Sequence, residues 1–144
     1  MTPEDIEYIV IHCSDTPPSY KATAEIIKEW HTSPPRNWRD IGYHFVIRRD
    51  GMTEVGRGLD VEGAHVRGYN GRSWGICLVG GRKAKVGGGE NNFTADQFEA
   101  LSVVVKELLE QAPNAKVIGH RDLDDKKYCP SFEVKDWITG GGLD

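Results

Sequence analysis

The chain has 144 residues and a mass of 16.1 kDa, with 38% hydrophobic and 28% charged residues. This length suffices for one domain with a buried core, and this composition is that of a soluble α/β or α+β protein and excludes a disordered chain. The net charge of −4, with Lys and Arg scattered along the chain, excludes the basic surface that nucleic acids or anionic membranes require.

The cysteine pattern also excludes a small secreted scaffold. Cys13, Cys77 and Cys129 are odd in number and far apart, so they do not form a disulfide framework. The first residues are acidic rather than basic, and no apolar run reaches transmembrane length. We therefore expect synthesis in the cytoplasm without a signal peptide and no stable membrane association.

The first predicted strand covers residues 6–12, which are rich in β-branched side chains and apolar on both faces. Such a strand lies inside an α/β sheet, and its last residue, His12, would face the crevice where these sheets bind ligands. Alternation along the strand would turn Cys13 to the opposite face, as a small buried residue. Taken alone, His12 is better explained as a core histidine.

A helix is predicted over residues 22–31, and His31 at its end is expected to contact the terminal carbonyls. The next strand begins at Tyr43, which either faces a cleft or packs as a strand aromatic. The pair Asp50-Gly51 is typical of a hairpin turn.

The rest of the chain alternates between loops and regular elements. Strands are predicted at 53–55, at 74–79, with an inert Cys77, and at 116–119. Helices are predicted from N-cap Thr94 to about 111 and over 131–138, and the connections are a long functional loop at 58–72 and a flexible segment at 80–92.

The stretch V-I-G-H-R-D-L-D-D-K-K-Y-C-P-S-F at 117–132 contains His120, Cys129 and two lysines. Imidazole and thiolate both suit a borderline-soft divalent ion, and a loop between them can bring both to one metal. A single histidine and a single cysteine near a turn are more often unrelated surface and packing residues. A zinc site therefore needs a third ligand.

Several motifs together carry a resemblance to a known family. They are I-V-I-H-C-S at 9–14, G-Y-H-F-V-I-R-R-D-G at 42–51, G-A-H-V-R-G-Y-N at 63–70, and G-H-R-D and C-P-S-F within 117–132. In this order they resemble the zinc-dependent N-acetylmuramoyl-L-alanine amidases of type 2, which are similar to animal peptidoglycan recognition proteins. The resemblance implies a single α/β domain over 1–144, with a central mixed β-sheet flanked by helices, a core at about 6–138 and a flexible tail at 139–144.

The resemblance also implies residue roles and a reaction. One Zn²⁺ per chain would be bound by His12, His120 and Cys129, and a site with three protein ligands keeps a position open for catalysis. Catalytic groups would be Tyr43 and Lys127, and the reaction would be hydrolysis of the amide bond between N-acetylmuramic acid and L-alanine in peptidoglycan. Substrate contacts are implied for the loop residues His65 and Asn70.

One departure concerns the lysine. The spacing from His120 to Cys129 is one residue longer than in the phage T7 member of the family, and Lys126 and Lys127 are adjacent. Counting back from Cys129 favours Lys127, with Lys126 as the alternative.

The small size and the lack of an export signal favour a monomeric phage endolysin that reaches the cell wall through a membrane lesion made by another protein. The alternatives are a cytoplasmic wall-recycling amidase and a non-catalytic peptidoglycan-binding or regulatory module.

Overall fold

The computed structural model describes all 144 residues, which form one domain around a five-stranded sheet. The strand order is β3-β2-β4-β1-β5, so β1 pairs with β4 on one side and with β5 on the other. These pairs and β2–β4 are parallel, whereas β2 and β3 form an antiparallel hairpin. The strands are β1 (Tyr8–Cys13), β2 (Phe45–Ile47), β3 (Thr53–Val55), β4 (Ser73–Leu78) and β5 (Lys116–Gly119). The predicted fold class, a mixed sheet flanked by helices, is confirmed.

Helices cover the sheet, and the longest has the predicted start. The Thr94 side chain accepts from the Gln97 N–H, and the Gln97 side chain accepts from the Thr94 N–H. Gln97 is fully buried, and its amide also donates to the carbonyls of Ile47 and Val79, which ties this helix to the sheet. The helices are α1 (Ala24–Thr32), α2 (Ala95–Gln111), α3 (His120–Leu123) and α4 (Val134–Trp137), and none is long and apolar enough to span a membrane.

The core is divided between the two faces of the sheet, as the near-continuous apolar strands require. The larger cluster packs Ile9 and Ile11 of β1 against Leu101 and Leu108 of α2. The smaller cluster, on the opposite face, includes Ile27 of α1. Because side chains alternate along β1, His12 lies on the opposite face from Ile9 and Ile11.

Some boundaries differ from the predictions in ways that affect the site. β2 begins at Phe45, so Tyr43 lies just before the strand, and β1 extends through His12 to Cys13. His120 directly follows the strand at 116–119, as predicted, but it begins a short helix, α3, that was not predicted. The prediction of a short helix over 131–138 is correct only for α4, because a π-helical turn follows over Ile138–Gly142.

The last residues, where a tail is predicted, contact the body of the protein. Leu143 packs against the larger core cluster, and the Lys106 ammonium donates to the Asp144 carbonyl at 2.7 Å. Their flexibility in solution stays a prediction.

Candidate metal centre and active-site cleft

A cleft of about 590 Å³ opens where β1 ends. Carboxyl ends of parallel strands are the usual place for ligands in α/β sheets. Of the residues predicted to act in the site, the cleft is lined by His12, Tyr43, His65, His120, Lys127 and Cys129, together with Lys126.

His12, His120 and Cys129 offer ligand atoms that all lie within 4.8 Å of one another. Tetrahedral zinc with nitrogen and sulfur ligands places those atoms roughly 3.3–3.7 Å apart, so small side-chain adjustments suffice for binding. Two imidazoles and one thiolate are also the donor types that zinc prefers. The residues present therefore fit a zinc ion with three protein ligands.

Backbone hydrogen bonds fix the position of Cys129 next to the end of β1. The Cys13 N–H donates to the Cys129 sulfur at 3.1 Å, and the Arg121 N–H donates to the Cys129 carbonyl at 2.8 Å. The Cys13 side chain itself is buried, as predicted, and Cys77 is completely buried. A backbone N–H directed at a sulfur favours the thiolate, which is the form that binds metal.

His12 and His120, the two histidines of this cluster, are neutral in the folded protein near neutral pH. Burial, with smaller contributions from His65 and His120, holds the pKa of His12 well below its usual value. Burial likewise lowers the pKa of His120. In the metal-free protein the Cys13 side chain and burial raise the pKa of the Cys129 thiol. A divalent cation reverses this effect, so metal binding would release the thiol proton.

Lys126 and Lys127 are both exposed at the cleft rim. Burial is the main cause of the lowered pKa of His120, and the charge of Asp124 acts in the opposite direction. Of the two lysines, Lys127 adds to the lowering through its positive charge. Lys127 is therefore the lysine whose charge acts on His120.

Tyr43 lies beside this cluster, with its ring centroid 5.1 Å from that of His12. Burial is the largest of several effects that hold the pKa of its hydroxyl well above the usual value. Tyr43 thus presents a protonated hydroxyl, which is a hydrogen-bond donor, at neutral pH.

The two loop residues differ in position. His65 lines the cleft and contacts His12, with His65 Nδ1 at 2.8 Å from His12 Nε2. Asn70 does not line the cleft, because its side-chain oxygen accepts from the N–H groups of His65 and Val66, each at 2.9 Å. A substrate contact for Asn70 stays a prediction, and the observed contacts show that it holds the loop that carries His65.

His31 is a cleft residue that sequence reasoning missed. Instead of contacting helix carbonyls, His31 Nδ1 accepts from the Gly42 N–H at 2.9 Å, and its ring lies 5.5 Å from that of Tyr43. Burial, with smaller effects of Arg36 and Arg57, lowers its pKa to about 4, so the ring is neutral and gains nothing from the helix dipole. The available signal was its position four residues after Ile27, on the buried face of α1.

Arg36 and Trp38 also line the cleft and were not predicted to do so. The Arg36 guanidinium lies 5.6 Å from the centroid of the Trp38 ring. Both residues lie in a proline-containing loop after α1, and the sequence of such a loop does not show which of its side chains face a cleft.

Residues 2–132 match the family of N-acetylmuramoyl-L-alanine amidases. The chain belongs to this family. It is 43% identical to the endolysin of Enterobacteria phage K11 over 140 residues, which cover 97% of this chain and 90% of that protein. It is 40% identical to the endolysin of Escherichia phage T7, with 93% and 86% covered. Among solved structures, the amidase LysC from Clostridium intestinale URNW superposes with a TM-score of 0.79 at 26% identity, covering 99% of this chain and 89% of LysC.

These similarities extend over nearly the whole amidase chain. The predictions of the family, the fold and the N-acetylmuramoyl-L-alanine amidase activity are therefore confirmed.

Proposed function

We propose that this amidase is a zinc-dependent phage endolysin that cleaves the bond between N-acetylmuramic acid and L-alanine in peptidoglycan. The observation that carries the proposal is the convergence of His12, His120 and Cys129 in a cleft that also presents Tyr43 and Lys127. A peptidoglycan-binding module would need the cleft but not three metal ligands beside a cation and a hydroxyl donor.

The proposed ligands are His12, His120 and Cys129, with one ion per chain. When bound, zinc supplies Lewis acidity and an activated water at neutral pH. His12 and His120 offer neutral nitrogens because burial disfavours their protonated forms. Cys129 adds a negative charge that partly neutralises the ion.

Lys127 is proposed to stabilise the negative charge that develops on the amide oxygen. Its ammonium is exposed at the rim and close enough to influence His120, so it can approach a carbonyl seated over the ligands. Positioned charges of this kind contribute roughly a hundred- to thousandfold in rate. Tyr43, whose ring lies beside that of His12 and whose hydroxyl is protonated, is proposed to donate a hydrogen bond to the reacting groups.

The proposed substrate is a muropeptide within the wall, bound along the cleft that His65 lines, with Asn70 supporting the loop that carries His65. Support comes from a similar structure, a Tyr-to-Phe mutant of Drosophila PGRP-LB in complex with tracheal cytotoxin, with a TM-score of 0.75 and 27% identity. The proposed unit is one catalytic domain over 1–144 that acts as a monomer.

The lytic role is supported by the endolysin names of the phage relatives. We propose that the enzyme accumulates in the host cytoplasm and reaches the wall through a membrane lesion made by another protein. A wall-recycling amidase is the alternative and would prefer soluble anhydro-muropeptides to the intact sacculus.

The test is mass spectrometry of purified sacculi digested by the zinc-loaded protein. The proposal requires new free L-alanine amino termini and intact glycan strands. New reducing sugar ends would instead identify a glycosidase. Cleavage of soluble anhydro-muropeptides with intact sacculi left undigested would favour the recycling enzyme.

A further inference from the structure

His65 occupies a place in the cleft that is built by glycine. An added Cβ at Gly75 of β4 would lie 2.7 Å from Cγ and Nδ1 of the His65 ring, and one at Gly63 would lie 2.8 Å from its Cδ2. Any side chain at either position would displace the ring, because such contacts are shorter than van der Waals distance. A glycine inside a strand often marks such a close approach.

Both ends of the His65 ring are hydrogen-bonded within the protein. On one side, Nε2 lies 3.2 Å from the hydroxyl oxygen of Ser73, a completely buried residue. On the other side, Nδ1 lies 2.8 Å from Nε2 of His12. With both nitrogens engaged, His65 has no free ring atom for hydrogen bonding to substrate.

The direction of this chain of hydrogen bonds follows from its far end. The Ser73 hydroxyl has a single hydrogen, and it donates that hydrogen to the Tyr69 carbonyl at 2.8 Å. Ser73 must therefore accept from His65, so His65 carries its proton on Nε2. His65 Nδ1 is then an acceptor, and His12 Nε2 must carry the hydrogen between the two rings.

We propose that His65 is a positioning residue for the metal ligand His12. With a hydrogen on Nε2, neutral His12 keeps its lone pair on Nδ1, which is then the nitrogen available for zinc. Outer hydrogen bonds of this kind fix the tautomer and ring orientation of a ligand histidine. This inference rests on the proposed zinc site, and it gives His65 a role other than substrate contact.

The first experiment measures tautomers directly in the zinc-free protein, by long-range ¹H–¹⁵N NMR of histidine-labelled samples near neutral pH. The expected result is an Nε2–H form for both His65 and His12. A dominant Nδ1–H form of either ring would overturn the proposal. In Ser73→Ala, which removes the hydroxyl that accepts from His65 and donates to the Tyr69 carbonyl, His65 should shift towards the Nδ1–H form, and an unchanged ratio would also count against the proposal.

The second experiment measures zinc affinity by competition with a chromogenic chelator. His65→Ala should weaken zinc binding by about 10- to 100-fold, as losses of outer hydrogen-bond partners do. His65→Asn, whose side-chain oxygen can replace Nδ1 as an acceptor, should recover most of that loss. Unchanged affinity in His65→Ala, or equal loss in both variants with native circular dichroism, would contradict a positioning role.

The two experiments separate this inference from the proposed function. A wild-type protein that binds no zinc but shows the expected tautomers would contradict the zinc mechanism and leave the hydrogen-bond chain in place. A wild-type protein that binds zinc with the opposite His12 tautomer would contradict the inference alone.

Discussion

The Tyr128 hydroxyl donates a hydrogen bond to the Asp15 carboxylate, which joins the loop bearing the two lysines to the segment after β1. This bond, followed by burial, raises the pKa of Tyr128 to about 12. Since Tyr128 lies between Lys127 and Cys129, its anchor limits the motion of both neighbours.

Tyr128→Phe should therefore lower turnover several-fold while zinc content stays near that of the wild type. The expected loss of unfolding free energy is about 1 kcal/mol or less, because one partly exposed hydrogen bond is removed. Peptidoglycan hydrolysis and urea denaturation check these values. Tyr20→Phe, at an exposed tyrosine that does not line the cleft, is the control and should match the wild type.

Lys127→Ala should reduce turnover by roughly a hundred- to thousandfold, because the developing oxyanion loses its charge partner, while the fold and zinc content survive. Lys126→Ala is the matched control, because Lys126 is also exposed on the same rim, and it should retain most activity. Both are assayed on sacculi alongside metal analysis. An inactive Lys126→Ala with an active Lys127→Ala would show that the longer loop has shifted the register by one residue, and two active variants would exclude both lysines.

Protein purified without chelators should contain about one zinc per chain, as three converging ligands imply. EDTA should abolish hydrolysis, and added zinc should restore it. Elemental analysis and a sacculus-clearing assay provide the measurement. Full activity in protein shown to be free of zinc would refute the metal mechanism.

Cys129→Ser should lose most of its zinc, its activity and some stability, because the thiolate is the charged ligand. Cys13→Ser should keep zinc, since the backbone N–H that donates to the Cys129 sulfur is preserved and a hydroxyl replaces the neighbouring Cys13 thiol. Cys77→Ala should also keep zinc and lose only packing energy, about 1 kcal/mol. Zinc stoichiometry of the three folded variants decides the ligand assignment, and a metal-free Cys13→Ser or Cys77→Ala would show it to be wrong.

The metal-free protein should lose stability as the pH falls from about 6.5 to about 4. All five histidines have lowered pKa values in the folded state, with burial as the largest cause, and the pKa falls to about 4 for His31 and about 3 for His65. In this range the unfolded chain binds more protons than the folded one, so acid favours unfolding.

Urea denaturation at a series of pH values measures this dependence, to which each histidine adds at most about 1.4 kcal/mol per pH unit. His31→Gln should show a shallower slope by about one proton. A free energy of unfolding that stays constant over this range would contradict the assignment of neutral, buried histidines.

The parts of the fold with regular periodicity were predictable from sequence. The β-branched run of β1 and the capping box at Thr94 each determine local structure through neighbouring residues, and both predictions hold. The position of His31 was not predictable in this way, because its partner Gly42 follows a loop whose course depends on tertiary packing. Similarly, the loop that contains His65 was predicted to be functional. Its contact with His12 joins residues 53 positions apart, so it could not be predicted from the local sequence.

The proposed ligands come from β1, near the start of the chain, and from the α3 start and loop that follow edge strand β5, near its end. A bound ion would therefore act as a cross-link between distant parts of the sequence, across the pairing of β5 with β1. Because this pairing lies at the edge of the sheet, the metal would protect it against local unfolding and proteolysis. The ion proposed for the reaction would thus also lengthen the lifetime of the folded enzyme.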